Sequence, residues 1–267
     1  YLKMAIENGQ PDAIYDYALM LKNGTGVAVN NEEAARYMKM AAEKGHINAC
    51  NNYATMLKNG TGVETDKHAA CNYYKYAADR GHVGSMFNYA IMIQKGNGVP
   101  VNKEESAKYC KMAADNNSVS SMYYYAIKLK TGDGVKIDNE SAAIYYKKAA
   151  DNGHVDSMYK YAIALFNGDG IAINKKEAAY YFKMAADNGH VDSMFHYFLM
   201  TEKGDGIPVD KEEAKKYLMI ALSNGQVDLA YECAMNLYKD PGFIQNKEEA
   251  AKYFKIAADN GHINSMY

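Results

Sequence analysis

One short motif limits what this chain can fold into. Gly24-Thr25-Gly26-Val27 returns as Gly60-Thr61-Gly62-Val63, Gly96-Asn97-Gly98-Val99, Gly132-Asp133-Gly134-Val135, Gly168-Asp169-Gly170-Ile171 and Gly204-Asp205-Gly206-Ile207, always 36 residues on. A double alanine keeps the same step, from Ala41-Ala42 and Ala77-Ala78 to Ala185-Ala186 and Ala257-Ala258. A unit copied at fixed period without insertion folds as a stack of like layers, because one copy cannot bury its own apolar face. The period also accounts for the 25 Tyr among 267 residues. Tyr17, Tyr53, Tyr89, Tyr125, Tyr161 and Tyr197 are one position copied; Tyr37, Tyr73, Tyr109, Tyr145, Tyr181, Tyr217 and Tyr253 are another. Both columns are expected in the core, with the hydroxyls reaching partners at a layer edge.

Each unit reads as two helices. The Asp12 position is filled by Asn48, Gly84, Ser120, Asp156, Asp192, Asp228 and Asn264, which predicts a helix N-cap there. Apolar residues follow at helical spacing (Ile14, Tyr17, Ala18, Leu21), and Gly24 ends the helix. The second helix starts at Asn30, Asp66, Asn102, Asp138, Asn174, Asp210 and Asn246. Glu33, Glu105, Glu177, Glu213 and Glu249 stand three residues on, as in a capping box. Its apolar stripe is Ala34, Tyr37, Met38, Ala41 and Ala42. The expected fold is all-α, a solenoid of stacked antiparallel helical hairpins with a 36-residue period. Whole repeats are expected at 12–47, 48–83, 84–119, 120–155, 156–191, 192–227 and 228–263. Partial repeats flank them at 1–11 and 264–267, so the chain reads as a piece of a longer array.

These offsets resemble the Sel1-like repeat, a relative of the tetratricopeptide repeat. Ala49, Tyr53-Ala54, Leu57, Gly60-Thr61-Gly62-Val63, Asp66, Ala70, Tyr73, Ala77-Ala78 and Gly81 take the family's places. The chain departs with Tyr-Ala where Leu-Gly is usual, and with Asp240-Pro241-Gly242-Phe243 in the last loop. The resemblance implies a right-handed superhelix with first helices lining its concave side, acting as a non-catalytic scaffold or adaptor for protein or peptide partners. It leaves open a regulatory array beside a kinase domain, a luminal quality-control adaptor, and a secreted hydrolase-like repeat protein.

Chemical readings find little purchase. A net charge of −2 lacks the basic footprint of a nucleic-acid binder, and no apolar run is long enough to insert into a membrane. The Gly-x-Gly loops follow helices rather than strands and lack the Lys-Ser/Thr of a phosphate loop. Aligning Asp169-Gly170 to a calcium loop puts Leu165 and Lys176 where carboxylates are needed. His46, His82, His154, His190 and His262 share one repeat position. Successive copies lie about 10 Å or more apart, too far to share a metal, so they are expected to pack over the turn and bond a terminal carbonyl. Every Ser, His or Asp candidate is a repeat position, so no catalytic set, metal site or cofactor is expected. Cys50, Cys71, Cys110 and Cys233 show no pairing pattern, which favours a reducing, cytoplasmic setting, or the ER lumen if a signal peptide precedes the chain. Sequons at Asn23, Asn59, Asn116 and Asn139 do not decide the compartment. The oligomeric state is left open.

Binding is expected on a flank of the first helix. The 15-type position reads Tyr15, Asn51, Phe87, Tyr123, Tyr159, Phe195 and Tyr231, and the 19-type is aliphatic in six of seven units. The alternative is that these residues simply pack on the neighbouring first helix. Position 22 varies: Lys22, Lys58, Gln94, Lys130, Phe166, Glu202 and Tyr238. Variation beside constant neighbours suits a surface tuned to a ligand. The candidate partner-binding residues are therefore Phe87, Tyr123, Tyr159, Phe195 and Tyr231 with Lys58, Lys130 and Phe166.

Overall fold

The computed structural model describes residues 2–223, 230–232, 234–235, 238, 246–259 and 261–262. Among them there are helices and no strand. After the short α1 (Leu2–Glu7) come first helices α2 (Pro11–Asn23), α4 (Ile47–Asn59), α6 (Val83–Lys95), α8 (Val119–Thr131), α10 (Val155–Asn167) and α12 (Val191–Lys203). The second helices are α3 (Asn31–Glu43), α5 (Lys67–Ala78), α7 (Lys103–Asp115), α9 (Asn139–Asp151), α11 (Lys175–Asp187), α13 (Lys211–Ser223) and α14 (Asn246–Asp259). The expected loop at 240–243, the cap at Asp228, Cys233 and the start of a further repeat at 264–267 lie outside the described residues.

The chain divides into two compact units, residues 1–138 and 139–267. In the first, α2 pairs with α3, α4 with α5 and α6 with α7, while α3 packs on α4, α5 on α6 and α7 on α8. The second repeats the scheme, α10 with α11 and α12 with α13, and α9 on α10 and α11 on α12. Each second helix thus joins its own first helix to the next one, the connectivity of a solenoid of hairpins. Fully buried alanines at Ala18, Ala34, Ala41, Ala54, Ala70 and Ala77 let the helices approach closely. The tyrosine columns meet edge-to-face in five hairpins, as Tyr17–Tyr37 (4.9 Å), Tyr53–Tyr73 (5.1 Å), Tyr89–Tyr109 (4.8 Å), Tyr161–Tyr181 (4.8 Å) and Tyr197–Tyr217 (4.9 Å).

Their hydroxyls tie layers together. Tyr181 donates to Asp151 Oδ1 (2.6 Å), while Lys147 Nζ reaches Asp151 Oδ2 (2.8 Å) and the Tyr181 oxygen (3.1 Å). That ammonium also lies within 5.8 Å of the Tyr161 and Tyr181 ring centres. Lys75, Asp79 and Tyr109 form the same clamp two repeats earlier, and Tyr217 donates to Asp187 beside Lys183. Burial pushes the Asp151 carboxyl up, but hydrogen bonds from Lys147 and Tyr181 outweigh it and hold the group below the usual carboxylate range. Removing one hydroxyl with Tyr181→Phe is expected to cost about 1 kcal/mol, since the pair is partly solvated. Chemical denaturation of the variant measures it, and an unchanged midpoint would show that the clamp contributes nothing.

The second-helix caps lie where expected. Asn30, Asp66, Asn102, Asn174 and Asp210 accept the backbone N–H three residues on. Glu105 and Glu177 close the box through the cap's side-chain amide, at 3.1 and 2.9 Å. The first-helix caps correct the sequence reading by two residues. His46, His82, Ser118, His154 and His190 are the caps, and Asn48, Ser120, Asp156 and Asp192 lie inside the first turn. The imidazole Nδ1 accepts the N–H of Ala49 (3.0 Å), Ser85 (3.0 Å), Ser157 (3.2 Å) and Ser193 (3.2 Å). The histidines therefore serve a helix beginning, not the terminal carbonyl expected of them. Histidine escaped notice because it is no standard capping residue.

Candidate functional site

Nothing among the described residues assembles chemistry of the usual kinds. No three His, Cys, Asp or Glu side chains come together as a metal-ligand set, and no helix is long and apolar enough to cross a membrane. Cys50, Cys71 and Cys110 are buried free thiols; burial pushes Cys71 up to about 11 and Cys110 up to about 12, away from nucleophilic use.

The flank positions of the first helices have a uniform character. All seven 15-type residues, from Tyr15 to Tyr231, are half-buried, and so are the 19-type residues from Leu19 to Met235. Part of that packing comes from the capping histidines: Tyr15 stacks on His46 (4.3 Å), Tyr159 on His190 (4.5 Å) and Tyr231 on His262 (4.3 Å). The aromatic series and the cap series thus brace one another across layers.

In the first unit, Phe87 leans on Tyr124 (5.3 Å), which lies edge-on to Tyr123 (5.7 Å). Lys130 is exposed two turns along α8 from Tyr123, and half-buried Lys58 lies 6.0 Å over the Tyr74 ring. The second unit is denser. Tyr159 and Phe166 of α10 and Phe195 of α12 gather around His196, at 5.8, 6.5 and 5.9 Å between ring centres. His196 lies flat on the fully buried Phe182 of α11 (4.8 Å, 11° between planes). Burial holds its imidazole below the ordinary histidine range, against the pull of Asp192. At the cluster's edge Lys175 Nζ lies 5.2 Å over the Phe166 ring and pairs with both Asp205 oxygens (2.7 and 2.9 Å). Tyr231 stands apart from this cluster, against Phe254 (5.6 Å) as well as His262.

Sequence reading missed Tyr124 and His196. A signal was there: their position reads Asp16, Asn52, Asn88, Tyr124, Lys160, His196 and Glu232, as variable as position 22. It also missed buried Lys128, whose Nζ reaches Gln94 Oε1 (2.6 Å) and Asp133 Oδ2 (3.0 Å) where three other layers bury Met56, Met92 and Met200. Position 22 is thus a polar tie in one layer (Gln94) and a ring of an aromatic cluster in another (Phe166).

The Sel1 repeat model matches seven times, at residues 11–46, 47–82, 83–118, 119–154, 155–190, 191–226 and 223–262. Among solved structures, c5321, a protective antigen present in uropathogenic Escherichia coli strains that displays an SLR fold, is similar. Its TM-score is 0.87 with 24% identity over 99% of this chain, which spans 57% of that protein's chain. A Sel1 repeat protein from Oxalobacter formigenes aligns with a TM-score of 0.66 and 25% identity, over 80% of this chain and 85% of its own. No curated protein matches significantly. Sel1 repeats are, in general, non-catalytic scaffolds for protein–protein interaction. With the family's repeat matched seven times and its fold present in both units, the chain belongs to the Sel1 repeat family.

Proposed function

We propose that this repeat array is a protein-interaction scaffold whose first-helix flank binds a peptide or protein segment, with the principal anchor in the Tyr159–Phe166–Phe195–His196 cluster. The observation that carries this reading is the convergence of three flank rings from α10 and α12 around one imidazole on the buried Phe182 floor. Half-buried aromatic rings supply contact area at low entropic cost, because packing already restricts them. Phe87, Tyr123, Tyr231, Lys58 and Lys130 extend the surface along each unit.

The chain itself supplies conservative test variants, because other layers carry different residues at the matched places. Asn51 occupies the Tyr159 position, and Lys58 and Lys130 the Phe166 position. Peptides selected from a random display library on the full chain are expected to carry apolar or aromatic anchors. They should lose about tenfold or more in affinity on Tyr159→Asn with Phe166→Lys, while helical content and melting stay near those of the parent. Selected peptides that bind parent and variant equally would sink the proposal.

A further inference from the structure

We infer that the cleft between α13 and α14 is a second docking site, for an extended segment of a partner carrying alternating acidic residues. It lies on second helices and is independent of the first-helix flank. The argument begins with a break in the repeat. Lys183 and Asp187, the clamp pair flanking Tyr217, are followed one period later by Met219 and Ser223, so the sequence carries no lysine–aspartate pair at the corresponding places. A second break sits beside it. The position buried as Ala35, Cys71, Ala107, Ala143 and Ala179 is an exposed lysine at Lys215.

A cleft of about 500 Å³ opens at this place, with Tyr253 and Ile256 in its floor. Lys211 and Lys215 stand on one wall and Lys252 and Lys255 on the other, against Glu212 and Asp259. The balance is therefore +2 within a chain whose net charge is −2. Lys211 approaches Glu202 (3.6 Å) and Lys255 approaches Asp259 (3.9 Å). Among the described residues, Lys215 and Lys252 lie beyond 4 Å of any carboxylate. A concave surface bearing ammonium groups without a nearby carboxylate focuses potential for an anion.

Spacing selects the kind of anion. Lys211 and Lys215 are one helical turn apart, which sets their stems about 5–6 Å from each other. Alternate residues of an extended chain repeat every 6.6 Å or so. Carboxylates at every second position would meet the lysines, and an apolar side chain between them would face the floor residues. Lysine is a point charge without the planar fork that favours phosphate, and no arginine lines the cleft.

The test uses the whole 267-residue chain and a fluorescent peptide of alternating glutamate and leucine, about seven residues long, followed by anisotropy. Binding is expected to weaken as salt rises from about 50 to 500 mM. Lys215→Glu with Lys252→Glu should weaken it about tenfold or more, and Lys215→Ala, which restores the residue most other layers carry, about threefold. Lys67→Glu, on an exposed lysine of the other unit, should leave it unchanged. The inference is overturned by no binding up to about 1 mM, by equal binding of a glutamine–leucine peptide, by indifference to both lysine variants, or by tighter binding of a single-stranded oligonucleotide of equal charge. Loss of the flank-selected peptides in Tyr159→Asn/Phe166→Lys tests the other site, so each site can fail without the other.

Discussion

Replacing Gly134 with alanine is expected to destabilise the array by about 3 kcal/mol or more, whereas Gly26→Ala should cost about 1 kcal/mol. Both glycines hold the left-handed backbone conformation, at φ +77° and +73°, which an L side chain adopts only with strain of about 1–2 kcal/mol. They differ in what a methyl group would meet. At Gly134 a Cβ would lie 2.1 Å from the Lys103 carbonyl oxygen and 2.3 Å from its carbon, main-chain atoms at the start of α7 in the preceding repeat. At Gly26 the nearest atom is Met20 Cε at 3.6 Å, ordinary contact. Gly170 repeats the clash, 2.2 Å from the Asn139 carbonyl carbon. In a stack, damage of this kind stays at one interface. Hydrogen exchange should therefore show opening around α7 and the loop after α8 in the Gly134 variant. Equal losses from Gly26→Ala and Gly134→Ala would show that backbone strain alone matters and that the contact is slack.

Acidification is expected to remove roughly 2 kcal/mol of stability as pH falls from about 7.5 to 5, through two imidazole caps of about 1 kcal/mol each. The Nδ1 atoms of His82 and His154 accept main-chain N–H donors, a bond that needs the neutral ring with its proton on Nε2. Burial holds His82 below the ordinary histidine range, and it does the same at His154 against the opposing pull of Asp156. The sign follows directly. Between the unfolded value near 6.5 and the lower folded one, the unfolded chain binds more protons. The contribution of these two groups is thus complete above about pH 6.5 and disappears as pH falls toward their folded values. Ser118 caps α8 without a titrating group, accepting from the Ser121 N–H at 3.3 Å. A His82→Ser/His154→Ser variant should fold and show a flatter stability profile. Retention of the parental acid sensitivity in that variant would assign the loss to other groups.

Much of this architecture was legible because it recurs. The 36-residue step, the Asn and Asp caps of the second helices, the helix-ending glycines and the tyrosine pairs are each written several times. Repetition separates such features from chance. The first-helix cap was misplaced because Asp156 and Asp192, good caps by type, are followed by ordinary helical residues, while the residue that caps is an imidazole. Helix direction and packing decide that choice, and neither is local. The site was half legible. Period and helical angle placed Tyr159, Phe166 and Phe195 on one flank, but their meeting at His196 depends on how α10, α11 and α12 pack together. The lysine cleft was not foreseen. Met219, Ser223 and Lys215 gain meaning only when each is set against the contact that its counterparts make in other layers.

The contact beneath the second loop glycine has a consequence for how such a chain diversifies. Gly134 lies on the backbone of Lys103 and Gly170 on that of Asn139, with no side chain between. Main-chain atoms are the same whatever residues flank them, so the distance from one layer to the next is a ruler cut in peptide groups. Mutation can rewrite position 15, 16 or 22 without stretching that ruler. A new recognition surface therefore needs no new frame.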